Sequence, residues 1–311
     1  MTQIEYSVVV PVYNSQDTLN ELTNRITAVF HDLNYTYEIL LVDDYSMDDS
    51  WKVMQSLHQK DKNIKIIHLI RNFGQHNATI CGFNHSSGKY IITMDDDLQH
   101  PPEEIPKLID KINEGFMVVY GKYLSKQHNP FENYFSDMFQ KLMQYILKIP
   151  SSIYLSSFVI YTKETTQSMS NIKSSFPFLF ALMIYSTHPS KIANVMINHQ
   201  ERKVGKSNYG VVRYFKYSMN LIINYSSLPL TLVGISGFLI SIFSILFGIL
   251  IIVQKTLNPN YGVMGWNSIM VAIALLGGSI LMSVAIIGEY LRRILTEISY
   301  GQQYLVDKAE L

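Results

Sequence analysis

Two stretches of the chain contain no charged residue: Leu228–Val253, 26 residues long, and Trp266–Ile287, 22 residues long. About 20 apolar residues rising 1.5 Å each are enough to cross the hydrocarbon layer of a bilayer. A core helix in a water-soluble protein rarely stays uncharged for so long, so two transmembrane helices are expected, at about 228–253 and 266–288. The first 210 residues have the charge density of an ordinary soluble domain. The hydrophobic fraction of 48% is therefore an average over regions built for two solvents.

The flanks of the apolar runs set an orientation. Arg202, Lys203, Lys206, Arg213 and Lys216 precede the first run, and Arg292 and Arg293 follow the second. The connecting loop, Gln254–Gly265, holds only Lys255. Lys and Arg accumulate on the cytoplasmic side of a membrane, so both flanks are expected inside and the short loop outside. Within 211–227, Arg213 and Lys216 are interleaved with Val212, Tyr214, Phe215, Tyr217, Leu221, Ile222 and Ile223. That mixture suits an amphipathic helix lying in the membrane interface; a helix packed on the soluble domain is the alternative. The chain reaches Tyr6–Val10 without an apolar leader, so the soluble domain is expected to stay in the cytoplasm. The expected organisation is a cytoplasmic domain over 1–210, the interfacial helix over 211–227, two spans within 228–290, and a cytoplasmic tail over 291–311.

Lys+Arg and Asp+Glu both number 25. No net field draws the chain to nucleic acid, and no nucleic-acid partner is expected. Cys81 stands alone, which excludes an intramolecular disulfide framework and a cysteine-rich metal site. It lies in the apolar stretch Ala78–Phe83 and reads as a small core residue.

The soluble region alternates β-rich runs with helical periodicity, the pattern of βαβ units around a mostly parallel sheet. Strands are expected at Tyr6–Val10, Tyr37–Val42, Ile64–Leu69, Tyr90–Met94 and Val118–Tyr120. Leu19, Leu22, Ile26, Val29 and Phe30 recur at helical spacing after the first; Trp51, Met54 and Leu57 do so after the second. A further helix is expected from about Gln75 to Ser86. The first four strands run into polar segments: Pro11-Val12-Tyr13-Asn14, Asp43-Asp44-Tyr45-Ser46, Arg71-Asn72-Phe73-Gly74 and Asp95-Asp96-Asp97-Leu98-Gln99. Open α/β sheets bind ligands outside the carboxyl ends of their strands, so these four segments form one candidate edge.

Asp95-Asp96-Asp97 is the chemical centre of that edge. Adjacent carboxylates repel, and a divalent cation offsets the repulsion, typically with one or two protein carboxylates and with phosphate and water completing its shell. Side chains at i and i+2 of an extended segment share a face, so Asp95 and Asp97 converge while Asp96 points away. A solvated acidic turn is the alternative. Neither G-x-G-x-x-G nor a P-loop occurs, so a nucleotide at this edge is expected to be held mainly through Mg²⁺ or Mn²⁺.

Taken together, Val9-Val10-Pro11-Val12-Tyr13-Asn14, Val42-Asp43-Asp44, Arg71-Asn72-Phe73-Gly74-Gln75-His76-Asn77-Ala78 and Asp95-Asp96-Asp97-Leu98-Gln99-His100-Pro101-Pro102-Glu103 resemble the motifs of family 2 glycosyltransferases with the GT-A fold. More narrowly, they are similar to polyprenyl-phosphate glycosyltransferases: bactoprenol glucosyltransferases, undecaprenyl-phosphate aminoarabinose transferases and dolichol-phosphate mannose synthases. Glu201-Arg202-x-x-Gly205-Lys206-Ser207-Asn208-Tyr209 ahead of a two-span C-terminus fits the same group. The resemblance covers nearly the whole chain in the same order. It implies a GT-A catalytic domain, an interfacial helix and two transmembrane helices in a bacterial inner membrane. It also implies inverting transfer of one sugar from a nucleotide-sugar donor, UDP-linked by analogy, to polyprenyl phosphate at the cytoplasmic face. The product would serve cell-envelope glycan modification, with a flippase and a homo-oligomer as candidate partners.

Residue by residue, the resemblance puts Pro11, Tyr13, Asn14, Asp43 and Asp44 around the nucleotide. It gives Asp95 to the ribose and diphosphate, counts Asp96 among the nucleotide-binding residues, and gives Asp97 and Gln99 to the metal. Arg202, Lys206 and Ser207 fall to the acceptor phosphate, and Asp95, Asp97 and Arg202 to catalysis. A guanidinium fork matches phosphate bidentately; membrane-surface anchoring is the alternative for Arg202. Three positions depart from the family pattern. Ser15 stands where Glu is common, Ser157-Phe158-Val159-Ile160 replaces Asp-Phe-Arg-Leu, and Asn208 follows Ser207 where Lys is usual. No general base is then evident at Ser157. A lipid monophosphate, with a second pKa of about 6, is already an anion near neutral pH and can attack without one. Two other readings compete: a processive polysaccharide synthase, disfavoured by the absent Q-x-x-R-W motif and the small number of spans, and an inactive scaffold, disfavoured by the intact Asp95-Asp97-Gln99 set.

Overall fold

A computed structural model describes residues 4–123, 138, 141–174, 177–198, 222, 226, 228–257, 265–299 and 303–311. They fall into two compact units, one comprising residues up to Lys216 together with Tyr300–Leu311, the other Tyr217–Ser299.

The first unit is built on an eight-stranded sheet: β1 (Tyr6–Val12), β2 (Tyr37–Asp43), β3 (Ile64–Leu69), β4 (Tyr90–Thr93), β5 (Val118–Tyr123), β6 (Val159–Thr162), β7 (Ile192–Ile197) and β8 (Val306–Glu310). Their order across the sheet is β7-β5-β6-β4-β1-β2-β3-β8. The first half is parallel, with β1 between β2 and β4 and β2 paired to β3. The later strands are mixed: β6 runs antiparallel to β4 and β5, β7 runs parallel to β5, and β8 runs antiparallel to β3. The five strands legible in the sequence all form. The last three carry too little periodicity to be read locally, and two of them, β6 and β8, make the sheet mixed.

The helices α1 (Leu19–Leu33), α2 (Ser50–Lys60), α3 (Gln75–His85) and α4 (Ile105–Ile112) follow β1, β2, β3 and β4 in turn. The stretches α5 (Lys163–Asn171) and α6 (Leu179–Ser186) come later. β1 is buried along its whole length, as a strand covered on both faces must be. One face carries Val8, Val10 and Val12 into a cluster with Leu22, Ile26, Phe30, Ile39 and Leu41. On the other face α3 lies close against β1: a Cβ on Gly82 would stand 2.2 Å from Val9 Cγ1. Cys81 is buried beside Val42, Ile67, Leu69 and Ala78, the core role its apolar surroundings predict.

The second unit holds two long helices, α7 (Leu228–Leu257, 30 residues) and α8 (Trp266–Ser299, 34 residues). They begin where the apolar runs begin and continue past them, α8 as far as Ser299. Among the described residues no helix is long and apolar enough to cross a membrane. The proposed interfacial helix over 211–227 and the loop after α7 lie almost entirely outside the described residues, as do Arg202, Lys206 and Ser207.

Candidate active site

The chain passes from β1 to β2 and β3 on one side of the sheet, then returns to β4 on the other side of β1. The connections leaving β1 and β4 therefore diverge and open a crevice at their carboxyl ends, the place where open α/β sheets take ligands. The acidic triplet, just beyond β4, and the segment after β1 meet there.

The three acids have different surroundings. Asp96 turns toward the β1 loop, where its Oδ2 accepts from the Tyr13 backbone N–H at 3.1 Å and from Ser15 Oγ at 2.5 Å. Burial pushes its carboxyl up to about 7, and the Ser15 and Tyr13 bonds oppose the shift. Asp95 is fixed from two other elements: Gln75 Nε2, at the start of α3, donates to Oδ1 at 2.6 Å, and Ser157 Oγ, ahead of β6, donates to Oδ2 at 2.5 Å. Asp97 Oδ1 accepts from the Gln99 backbone N–H at 3.1 Å, a short turn in which Leu98 adopts a φ of 62°. Asp96 and Asp97 lie in a turn rather than an extended segment, and Asp95 and Asp96 have separate hydrogen-bond partners.

The end of β2 is stapled to the end of β3. Asp44 accepts from the Phe73 and Gly74 backbone N–H groups at 2.7 and 2.8 Å, and burial raises its carboxyl to about 6 against those two bonds. Gly74 supports the arrangement with a φ of +91°, a conformation that favours glycine. Asp43 accepts from Ser46 N at 3.1 Å and pairs with His68 Nδ1 at 2.6 Å. His68 in turn lies against Trp51 and Tyr45. Asn14, at a φ of 55°, ties the β1 loop to the β2 loop by accepting from Met47 N at 2.8 Å. Tyr13 keeps an exposed ring at this edge.

Behind the triplet lies a buried aromatic and imidazole layer. His100 stacks on Tyr123 and Phe158. Its Nε2 is 2.5 Å from Tyr123 Oη and its Nδ1 3.9 Å from Asp95 Oδ2. Burial lowers its pKa to about 4, so the ring is neutral at physiological pH. A small pocket beside Asp95 is walled by Pro11, Gln75, His76, Ser157, Val159 and Phe180. His76 is half-buried in that wall, with its pKa lowered to about 4 by desolvation and its ring edge-on to Phe178.

Among the described residues no group of three His, Cys, Asp or Glu side chains forms a metal cage. Asp95, Asp97 and Gln99 fall within one short segment beyond β4 and carry hard oxygen donors. That donor set suits a divalent cation which takes only one or two carboxylates from protein.

Residues 7–169 of the chain match Glycosyl transferase family 2. The chain belongs to this family. It is 32% identical over 304 residues to the undecaprenyl-phosphate 4-deoxy-4-formamido-L-arabinose transferase of Klebsiella pneumoniae, covering 97% of this chain and 92% of that protein. An uncharacterized glycosyltransferase of Synechocystis is 32% identical over 97% of this chain and 95% of its own length. Among solved structures, glucosyl-3-phosphoglycerate synthase of Mycobacterium tuberculosis, in complex with Mn²⁺, UDP and glucosyl-3-phosphoglycerate, superposes with a TM-score of 0.55. At 16% identity, with 71% of this chain and 78% of that one covered, the likeness establishes the GT-A fold.

For this glycosyltransferase the structure gathers Pro11, Tyr13, Asn14, Asp43, Asp44, Asp95, Asp96, Asp97 and Gln99 at one sheet edge. Gln75 and Tyr123 were not singled out from the sequence. Gln75 follows the Arg71–Gly74 segment at the first position of α3, which was a usable signal; Tyr123 lies at the end of β5 and had none. Ser15 and Ser157, noted only as departures from the family pattern, each donate a hydrogen bond to an acid of the triplet.

Proposed function

We propose that this glycosyltransferase transfers a single sugar, with inversion, from a UDP-linked donor to undecaprenyl phosphate at the cytoplasmic membrane face. The observation that carries the proposal is the convergence of the acidic triplet with the β1 loop at the switch point, in a chain aligned over nearly its full length with undecaprenyl-phosphate sugar transferases. In this reading Tyr13 offers a stacking face to the base, and Asp43 and Asp44 shape its pocket. Asp95, held by Gln75 and Ser157, orients the ribose and diphosphate. Asp97 and Gln99 hold Mg²⁺ or Mn²⁺, which when bound neutralises charge on the departing diphosphate. Arg202, Lys206 and Ser207 receive the acceptor phosphate.

Ser157 cannot act as a base, and Asp95 is already committed to two donors. The acceptor needs neither, because a phosphate monoester with a second pKa of about 6 reaches the site as an anion. What the protein supplies is alignment of that oxygen with the sugar carbon.

The two long helices are proposed as membrane spans, with a bacterial inner membrane as the location. The sequence of 228–253 is uncharged throughout. The described apolar side chains of α7, among them Leu232, Phe238, Phe243 and Leu246, are exposed, which lipid accommodates and water does not.

The test is a panel of radiolabelled UDP-sugars incubated with membranes and undecaprenyl phosphate. One sugar is expected to enter the lipid fraction. Asp97→Asn should reduce that signal by about 100-fold or more, the scale of losing a charge-stabilising group, and EDTA should act alike. Transfer undiminished in EDTA would remove the metal; no lipid product with any donor would overturn the reading.

A further inference from the structure

The last described residues, 303–311, belong to the catalytic unit although they follow α8 in the chain. β8 adds to the open edge of β3 with Ile67 opposite Ala309, His68 opposite Lys308 and Leu69 opposite Val306. Pairing continues one step beyond the strand, where the Ile70 backbone N–H donates to the Leu305 carbonyl at 3.1 Å. Tyr304 and Val306 then pack with Phe73 over Val42, Ile67, Leu69, Ala78 and Cys81. Asn84 Nδ2 donates to Tyr304 Oη at 2.8 Å, and the buried Gln303 donates from Nε2 to the Ile172 carbonyl at 3.2 Å.

These contacts converge on one short loop. Residues 70–74 are held on one side by Asp44, through the Phe73 and Gly74 amides. On the other side they are held by the Ile70–Leu305 hydrogen bond, and Phe73 packs on the same apolar cluster as Tyr304. β8 also lies opposite His68, whose ring pairs with Asp43. Asp43 is thus braced through His68, which lies opposite β8, and Asp44 through a loop whose Ile70 bonds Leu305. Covering an exposed sheet edge needs only a strand. The contacts of Tyr304 and Leu305 beyond the strand serve the loop.

We infer that the C-terminal segment 303–311 is a positioning element of the donor site, with Tyr304 setting the loop 70–74 that fixes Asp44. The inference rests on the reading of Asp43 and Asp44 as donor-site residues. Binding of the nucleotide therefore depends on a segment that the chain supplies only after both long helices.

Calorimetric binding of UDP with Mn²⁺ to the full-length protein in detergent tests this, because affinity and stoichiometry report different things. Tyr304→Ala should raise the UDP Kd roughly tenfold at unchanged stoichiometry, within the range common for coupling between sites. Tyr304→Phe, which keeps the ring and loses only a neutral hydrogen bond, should bind within about twofold of wild type. Deleting 303–311 should weaken binding in the same direction, and a peptide of that sequence should restore it by strand addition. A Kd in Tyr304→Ala equal to wild type overturns the inference. So does a loss of stoichiometry at constant Kd, which marks partial unfolding alone. If the deletion variant fails to fold, the two Tyr304 variants decide. Asp44→Asn separates the two levels. Weaker UDP binding there with none in Tyr304→Ala overturns only this inference, whereas unchanged binding in Asp44→Asn overturns the donor-site reading beneath it.

Discussion

The sheet unit and the helical pair are built from the same apolar residue types and treat them in opposite ways. In the sheet unit Val8, Val10, Leu22, Ile39 and Leu41 have no solvent exposure. Along α7 and α8, Phe243 and Leu281 are each 71% exposed. At about 25 cal/mol per Å² of apolar surface, such side chains are worth roughly 1.5–3 kcal/mol each when removed from water. The sheet unit collects that from its own core. The exposed apolar side chains of the two helices would collect it from lipid if the proposed spans hold. Composition does not separate the two cases; the spacing of charges does.

The contrast is open to tests of decreasing size. Replacing both Ile242 and Phe243 with Asp should have the largest effect. A carboxylate at the centre of a span costs on the order of 2.5–3.5 kcal/mol, so the variant should leave the membrane fraction on carbonate extraction; retention would contradict the proposed span. A smaller effect is expected for charge inside the sheet unit, where burial lowers the His76 pKa from 6.5 to about 4. The neutral ring then contributes stability that is complete above about 6.5 and is lost as pH falls toward 4. At about 1.4 kcal/mol per unit the difference is a few kcal/mol. His76→Phe should remove that part of the acid sensitivity, visible as a smaller fall in Tm between pH 7 and pH 5; an unchanged fall would show that the ring is already charged.

The smallest effects oppose each other in sign. Gly82→Ala drives a methyl into Val9 and should cost about 1–3 kcal/mol, the usual penalty of overpacking. Gly237→Ala, on α7, meets nothing within 4 Å and should be neutral or stabilising by up to about 1 kcal/mol through helix propensity. Thermal unfolding in detergent compares the two; a destabilised Gly237→Ala would mean that α7 carries a close contact at that position.

Much of the candidate site was legible because its residues sit at strand ends, where a single sequence window holds both the strand pattern and the polar segment that ends it. Asp95, Asp96 and Asp97 follow one residue after the Tyr90–Thr93 run, so the strand pattern alone places them at its carboxyl end. The partners of these acids were not legible. Gln75, Ser157 and Tyr123 reach the triplet region from α3, from the approach to β6 and from the end of β5, at sequence distances of 20 to 62 residues for the bonds to Asp95. No local window contains such pairs. Ser15 and Ser157 looked like losses when compared with a family pattern, and their hydroxyls turn out to hold the acids in place.

The sequence by itself determined the two regions, the first five strands and the edge on which the acids collect. Each of these follows from local periodicity and from the solvent that a segment of given charge can tolerate. Tertiary structure alone decided the order of the strands, the antiparallel pairing of β6 and β8 and the return of the chain end to β3. The physical reason is that β8, with Val306, Asp307, Lys308, Ala309 and Glu310, has almost no apolar periodicity of its own. It becomes a strand because β3 presents unpaired backbone donors and acceptors along the sheet edge. Tyr304 also finds an apolar surface beside Phe73 that exists only once β2, β3 and α3 have packed.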